Sequence, residues 1–155
     1  MRESVLSVLM AEDDDGHATL VRRSLKRAGL TTDPIHLRDG QEMLDYVFQR
    51  GPWSDRRRHD SVVMILDLNM PRLGGAEVLQ RLKEDADLSR IPVFVLTTTD
   101  NPLELDRCYA LGAAACLVKP VDYGAFDDMV RRLAEFLMSA RLPGEEPPSS
   151  RLHGF

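Results

Sequence analysis

Residues 62–71 read Val62-Val63-Met64-Ile65-Leu66-Asp67-Leu68-Asn69-Met70-Pro71, so that five consecutive apolar side chains end in the carboxylate of Asp67. An uninterrupted apolar run of this kind is typical of a strand that is covered on both faces, as strands in parallel sheets are. In open α/β folds, ligands bind just beyond the carboxyl ends of such strands. We therefore expect Asp67 to lie at the functional edge of a sheet.

Strand and helix patterns alternate along the rest of the chain. The predicted strands cover residues 5–11, 33–37, 61–67, 93–97 and 113–119. The predicted helices cover residues 16–28, 39–50, a segment after Gly74-Gly75, 102–111 and 122–138. Since crossovers between parallel strands are right-handed and cover the sheet, this alternation predicts a doubly wound α/β fold with helices on both faces.

The length of 155 residues predicts one domain and a tail. We assign the domain to residues 4–139. Residues 140–155 are rich in Pro, Gly and Ser and are predicted to form a flexible C-terminal tail that is too short for an output domain.

Composition points to an ordinary cytoplasmic protein. The net charge of −5 gives no reason to expect a nucleic-acid or membrane partner, and the short basic cluster at residues 56–59 is interpreted as a solvated loop. The N-terminal apolar run is too short for a signal peptide or a membrane span. Cys108 and Cys116 lack metal-binding spacing, which favours reduced, partly buried thiols.

Polar side chains follow four of the five predicted strands. Glu12 and Asp13 come after the first strand, Asp67 ends the third, Thr97 ends the fourth and Lys119 ends the fifth. Because the carboxyl ends of parallel strands meet at one edge, we expect these side chains to lie together. Neighbouring carboxylates repel one another unless a hard divalent cation lies between them.

Mg²⁺ fits this set of oxygen ligands. Asp13 and Asp67 are predicted to bind the ion directly, Asn69 through its main-chain carbonyl, and Glu12 through water. The hydroxyl of Thr97 and the charge of Lys119 are suited to holding a phosphoryl group.

Each residue taken alone also fits a structural role. Residues 12–15 fit an acidic turn in which Asp15 caps the first helix, Thr97 fits a strand end, and Lys119 fits a loop before Pro120. Their occurrence together at four strand ends favours a shared site.

The pattern of Glu12-Asp13, Asp67 with Met70-Pro71, Thr97 and Lys119-Pro120 resembles that of receiver domains of two-component response regulators, over residues 4–138. The resemblance implies a flavodoxin-like (βα)5 fold with strand order 2-1-3-4-5. It also implies a Mg²⁺ cofactor and reversible phosphorylation of Asp67 by a sensor histidine kinase, with at most slow autodephosphorylation.

A finer resemblance is to single-domain regulators that serve phytochrome-type kinases. It rests on Gly51-Pro52-Trp53, on Leu96-Thr97-Thr98, and on Glu12 where Asp is commoner. It implies a bacteriophytochrome as the kinase and a histidine phosphotransfer protein as a further partner. The family also suggests homodimerisation through the fourth helix, fifth strand and fifth helix.

One position departs from the family pattern, because Cys116 occupies the place of the usual aromatic switch residue. Two alternatives stay open at this point. A phosphatase of the haloacid dehalogenase type also uses a nucleophilic Asp at a strand end, but it needs a second Asp where this chain has Asn69. A receiver-like scaffold that is never phosphorylated has no need of the acidic residues, Thr97 and Lys119.

Overall fold

The computed structural model describes residues 5–140, in which five strands alternate with five helices. The strands are β1 (Leu6–Ala11), β2 (Ile35–Leu37), β3 (Ser61–Asp67), β4 (Val93–Thr97) and β5 (Ala115–Val118). The helices are α1 (Asp15–Ala28), α2 (Gly40–Val47), α3 (Gly75–Glu84), α4 (Pro102–Ala110) and α5 (Tyr123–Ser139). Short 3₁₀ turns cover Gly51–Trp53 and Leu88–Arg90. Of the predicted tail, residues 140–155, all but residue 140 lie outside the described residues.

The strands form a parallel sheet in the order β2-β1-β3-β4-β5, which confirms the flavodoxin-like doubly wound fold. Ala11 pairs with Leu66, and Asp67 pairs with Leu96. The last residues of β1, β3 and β4 therefore lie close together at one edge.

Alternate residues of β3 point into two separate cores. Val63 and Ile65 pack with α1 and α5 on one face of the sheet. Met64 and Leu66 pack with α2 and α3 on the other face. Full burial of such side chains contributes about 1.5–3 kcal/mol each, which explains why the strand before Asp67 is apolar at consecutive positions.

Several predicted boundaries were wrong by a few residues. Helix α2 ends at Val47 rather than residue 50, since Gln49 adopts a left-handed backbone with φ of 56°. Strand β5 begins at Ala115 rather than residue 113, because the Ala113 N–H closes the end of α4 by donating to the Cys108 carbonyl. Asp14, not Asp15, caps α1: its side chain accepts from the His17 N–H.

Gly75 lets α3 approach the end of β3. A Cβ atom at this position would lie 2.3 Å from the main-chain oxygen of Asp67 and 2.9 Å from the Cα of Leu68. The Gly75 N–H donates to the Leu68 carbonyl at 2.9 Å. The N-terminus of α3 is thereby packed directly against the main chain that carries Asp67.

Candidate functional site

Three carboxylates meet at the carboxyl edge of the sheet. Oxygen atoms of Glu12, Asp13 and Asp67 all lie within 4.8 Å of one another. Glu12 and Asp67 are buried, whereas Asp13 is exposed. A set of hard oxygen donors that is open to solvent on one side suits a divalent cation that keeps several of its waters.

Lys119 lies beside two of these carboxylates, Glu12 and Asp67, and is itself buried. Its Nζ donates to Glu12 Oε2 at 2.7 Å and lies 3.7 Å from Asp67 Oδ2. Its main-chain N–H donates to the Thr97 carbonyl at 2.7 Å, which ties the end of β5 to the end of β4. One ammonium in a group with three carboxylates leaves that group with a net negative charge, so the charge balance also fits a bound cation.

Burial raises the pKa of Asp67 to about 6, since loss of hydration outweighs the attraction of Lys119, and the charge of Glu12 adds to the rise. The metal-free site thus holds its proton more tightly than an exposed aspartate does. A cation between the carboxylates favours their charged forms and opposes this effect.

We expect cation affinity to fall as the pH drops below about 6, the pKa of Asp67. Below that pKa a proton must leave before Asp67 can bind a cation, which weakens binding by about tenfold per pH unit. Calorimetric titration with Mg²⁺ across this range measures the effect. In Asp67→Asn the Mg²⁺ affinity should change less with pH, because this carboxyl group is absent. An affinity for the unmodified protein that stays constant through the pKa would contradict the expectation.

The remaining predicted site residues lie near this group. Thr97 is fully buried at the end of β4, and its Oγ1 accepts from the Thr99 N–H at 3.1 Å. The Asn69 N–H donates to Asp67 Oδ1 at 3.4 Å. The use of the Asn69 carbonyl as a ligand and of the Thr97 hydroxyl as a phosphoryl donor stay predictions.

The loop that carries Asn69 is anchored by an ion pair that sequence reasoning missed. Arg72 donates from Nε to Asp39 Oδ2 at 2.8 Å and from Nη2 to Asp39 Oδ1 at 3.2 Å. Such a bidentate pair fixes geometry as well as charge. Asp39 also caps α2 by accepting from the Glu42 N–H, so the β3–α3 loop is tied to α2.

His17 is a second residue that sequence reasoning left without a role. It lies in the first turn of α1, and its Nδ1 is 3.2 Å from Lys119 Nζ. The only sequence signal is its position one helical turn after Asp13, which by itself indicates nothing about chemistry.

The basic cluster is not wholly solvated, contrary to expectation. Arg56 lies 4.5 Å above the ring of Tyr46 and donates from Nε to the Tyr46 carbonyl at 2.7 Å. His59 Nε2 shares a hydrogen bond with the Tyr46 hydroxyl. These contacts pack the loop onto α2, while Arg57 and Arg58 stay exposed.

Cys116 packs beside Cys108, and both thiols are free. Burial raises the pKa of the Cys116 thiol to about 11, and Cys108 adds to the rise. A raised pKa disfavours the reactive thiolate, as expected for a packed thiol. The nearby aromatic group is Tyr109 of α4, whose hydroxyl accepts from the Cys116 N–H at 3.0 Å.

Within residues 5–140, no helix combines the length and apolar character that a bilayer crossing requires.

Comparison with known proteins assigns the family. A model described as the response regulator receiver domain matches residues 8–131. The probable methanogenesis regulatory protein FilR2 of Methanothrix harundinacea is 35% identical, over 86% of this chain and 82% of that protein. Response regulator Rcp1 of Synechocystis is 34% identical, over 88% of this chain and 92% of that protein.

Two solved structures agree with this result. The Mn²⁺-bound form of Rcp1 has a TM-score of 0.83 and 33% identity, with 88% of this chain and 98% of that chain covered. The phosphorylated cyanobacterial phytochrome response regulator RcpA has a TM-score of 0.82 and 30% identity, with 92% of this chain and 99% of that chain covered. With the family match covering most of its length, the chain belongs to the response regulator receiver domain family.

Proposed function

We propose that this chain accepts a phosphoryl group on Asp67 from a histidine kinase and acts as a phosphorylation-controlled signalling protein. Receiver domains accept phosphate from histidine kinases and are signalling domains rather than classical enzymes. The assignment to Asp67 rests on its buried carboxylate. Its Oδ2 lies 3.7 Å from Lys119 Nζ, and it has an oxygen within 4.8 Å of oxygens of Glu12 and Asp13.

The transfer requires little covalent chemistry from the protein. An Oδ atom of Asp67 attacks the phosphorus of a phosphohistidine, so that an O–P bond forms, the P–N bond breaks, and the imidazole leaves with its electron pair. Asp13, Asp67 and the Asn69 carbonyl would hold Mg²⁺, with Glu12 acting through water, and the ion would supply charge neutralisation when bound. Lys119 and Thr97 then donate to phosphoryl oxygens.

We further propose a phytochrome-type kinase as the partner. The support is the similarity to RcpA, a cyanobacterial phytochrome response regulator, over nearly the whole of that chain. Residues 4–139 act as the receiver, residues 140–155 as the tail, and the protein works in the cytoplasm. We expect at most slow loss of the phosphoryl group by autodephosphorylation.

The proposed output is a change in association. Large apolar side chains are exposed on α4, on α5 and in the loop between β5 and α5; they are Leu103, Tyr109, Val121, Tyr123 and Phe136. Exposed apolar side chains that together form a patch mark protein contacts. We propose that the surface of α4, β5 and α5 forms a homodimer, and that a histidine phosphotransfer protein is a further recipient of the phosphoryl group.

Phosphotransfer from purified histidine kinases tests the proposal. We expect label to move from a phytochrome-type kinase to this chain, with the rate altered by red light through the kinase. Transfer only from kinases of other types would overturn the phytochrome partner and leave the receiver function intact. A chain that takes phosphate from neither kinases nor acetyl phosphate with Mg²⁺ would instead be the constitutive scaffold.

A further inference from the structure

Lys119 has two hydrogen-bonding partners besides its contact with the phosphoacceptor. Its Nζ lies 2.7 Å from Glu12 Oε2 and 3.2 Å from His17 Nδ1. It lies 3.7 Å from Asp67 Oδ2. The ammonium is therefore held between a carboxylate of the acidic cluster and an imidazole on the first turn of α1.

The imidazole of His17 lies between Phe126 of α5 and the carboxylate of Asp14. Its ring packs edge-on against Phe126 of α5, with the ring centroids 5.0 Å apart. Nε2 lies 3.9 Å from Asp14 Oδ2, and the Asp14 Oδ1 accepts from the His17 main-chain N–H at 3.0 Å. Since an ammonium only donates, Nδ1 must be the accepting nitrogen, which leaves the proton of a neutral ring on Nε2, toward Asp14.

The two hydrogen-bonding partners of Lys119 differ in whether they belong to the carboxylate cluster. Glu12 belongs to the carboxylate cluster that fits a divalent cation, so the cation and Lys119 compete for the same side chain. His17 is not among the carboxylate ligands. Of the two side chains that hydrogen-bond to Lys119 Nζ in this structure, His17 is therefore the one that lies outside the carboxylate cluster.

We propose that His17 is a positioning residue, which retains the ammonium of Lys119 beside Asp67 while Glu12 is engaged by the cation. The inference rests on the proposed phosphoacceptor function and adds a residue to it. The site residue that His17 contacts is Lys119, so we expect it to act through Lys119.

Two substitutions separate the hydrogen bond from the packing. His17→Asn keeps an acceptor near the place of Nδ1 but loses the ring contact with Phe126. His17→Leu keeps an apolar contact with Phe126 but loses the acceptor. Both residues are tolerated in the first turn of a helix.

Phosphorylation by acetyl phosphate at saturating Mg²⁺ is the first measurement. We expect phosphorylation of His17→Leu to be roughly tenfold slower, which is the loss expected for one charge-assisted hydrogen bond. The rate of His17→Asn should stay within about threefold of that of the unmodified protein. Mg²⁺ titration without phosphodonor is the second measurement. His17→Leu should bind the ion several-fold more weakly, because Lys119 then depends on Glu12 alone.

A normal rate of phosphorylation in His17→Leu would overturn the proposal, because the hydrogen bond would then have no effect. Equal losses of rate in both variants would also overturn it, because the packing against Phe126 would then explain the effect. ¹⁵N NMR of the Mg²⁺-loaded protein tests the placement without phosphorylation. The Nδ1 signal of His17 should move in Lys119→Met, and an unmoved signal would refute the contact. If the unmodified protein is never phosphorylated, the proposed function fails, while the titration and NMR results still decide the role of His17.

Discussion

Asp67→Asn is expected to reduce phosphoryl incorporation by roughly a thousandfold or more, because an amide oxygen is not a competent nucleophile at phosphorus. Incorporation from acetyl phosphate with Mg²⁺ measures the loss. Asp55→Asn is the matched control, since Asp55 is an exposed aspartate in the loop before β3. It should incorporate phosphate at the normal rate. Substantial labelling of Asp67→Asn would place the phosphoacceptor elsewhere.

The same substitution should stabilise the metal-free protein at neutral pH. The folded-state pKa of Asp67 is about 6, above its ordinary value of 3.8. Folding therefore favours the protonated form, and stability is lost as the pH rises between these two values. Asparagine does not ionise, so the variant does not lose folding stability in this way. We expect a melting temperature a few degrees higher than that of the unmodified protein above about pH 6, with the difference shrinking as the pH falls toward the ordinary value.

Lys119→Met is expected to have the second largest effect. The substitution removes the buried ammonium that donates to Glu12 and faces Asp67. Removing one partner of a buried pair typically costs about 3 kcal/mol or more of folding free energy, because the remaining charges stay buried without compensation. Phosphorylation should fall roughly a hundredfold, the loss typical of one electrostatic donor to the transition state.

Cation binding distinguishes an electrostatic role of Lys119 at the site from a general loss of stability. Mg²⁺ should raise the melting temperature of Lys119→Met more than that of the unmodified protein, since the ion replaces the missing positive charge. Lys83→Met is the control, because the Nζ of Lys83 also makes partly buried hydrogen bonds, to the Ser89 and Ile91 carbonyls, but away from the site. It should lose stability without losing phosphorylation. Normal phosphorylation of Lys119→Met would contradict the role of Lys119.

The parts of the fold that depend on local pattern could be predicted from the sequence. The apolar run before Asp67 predicted a strand covered on both faces, and its alternate residues do enter two cores. Alternation of elements predicted a parallel sheet, and parallel strands bring Glu12, Asp13 and Asp67 to one edge. The order of the strands could be predicted only from the family resemblance, because periodicity carries no information about which strands are neighbours.

The contacts that sequence reasoning missed join segments far apart in the chain. Lys119 meets His17 across 102 residues, and Arg72 meets Asp39 across 33. Neither pair has a spacing that indicates a contact, since each depends on the packing of helices and on rotamers. The end of α2 was missed for a related reason: Gln49 takes a left-handed conformation that its residue type does not predict.

Locating the phosphoryl group after transfer tests directly whether Asp67 is the phosphoacceptor. Borohydride reduction of the protein after phosphotransfer converts an aspartyl phosphate to homoserine, and mass spectrometry of the peptides identifies the residue. We expect homoserine in place of Asp67, at a yield matching the phosphate incorporated, and loss of the signal in Asp67→Asn. Stoichiometric homoserine at Asp13 or at any other position, with Asp67 unmodified, would contradict it.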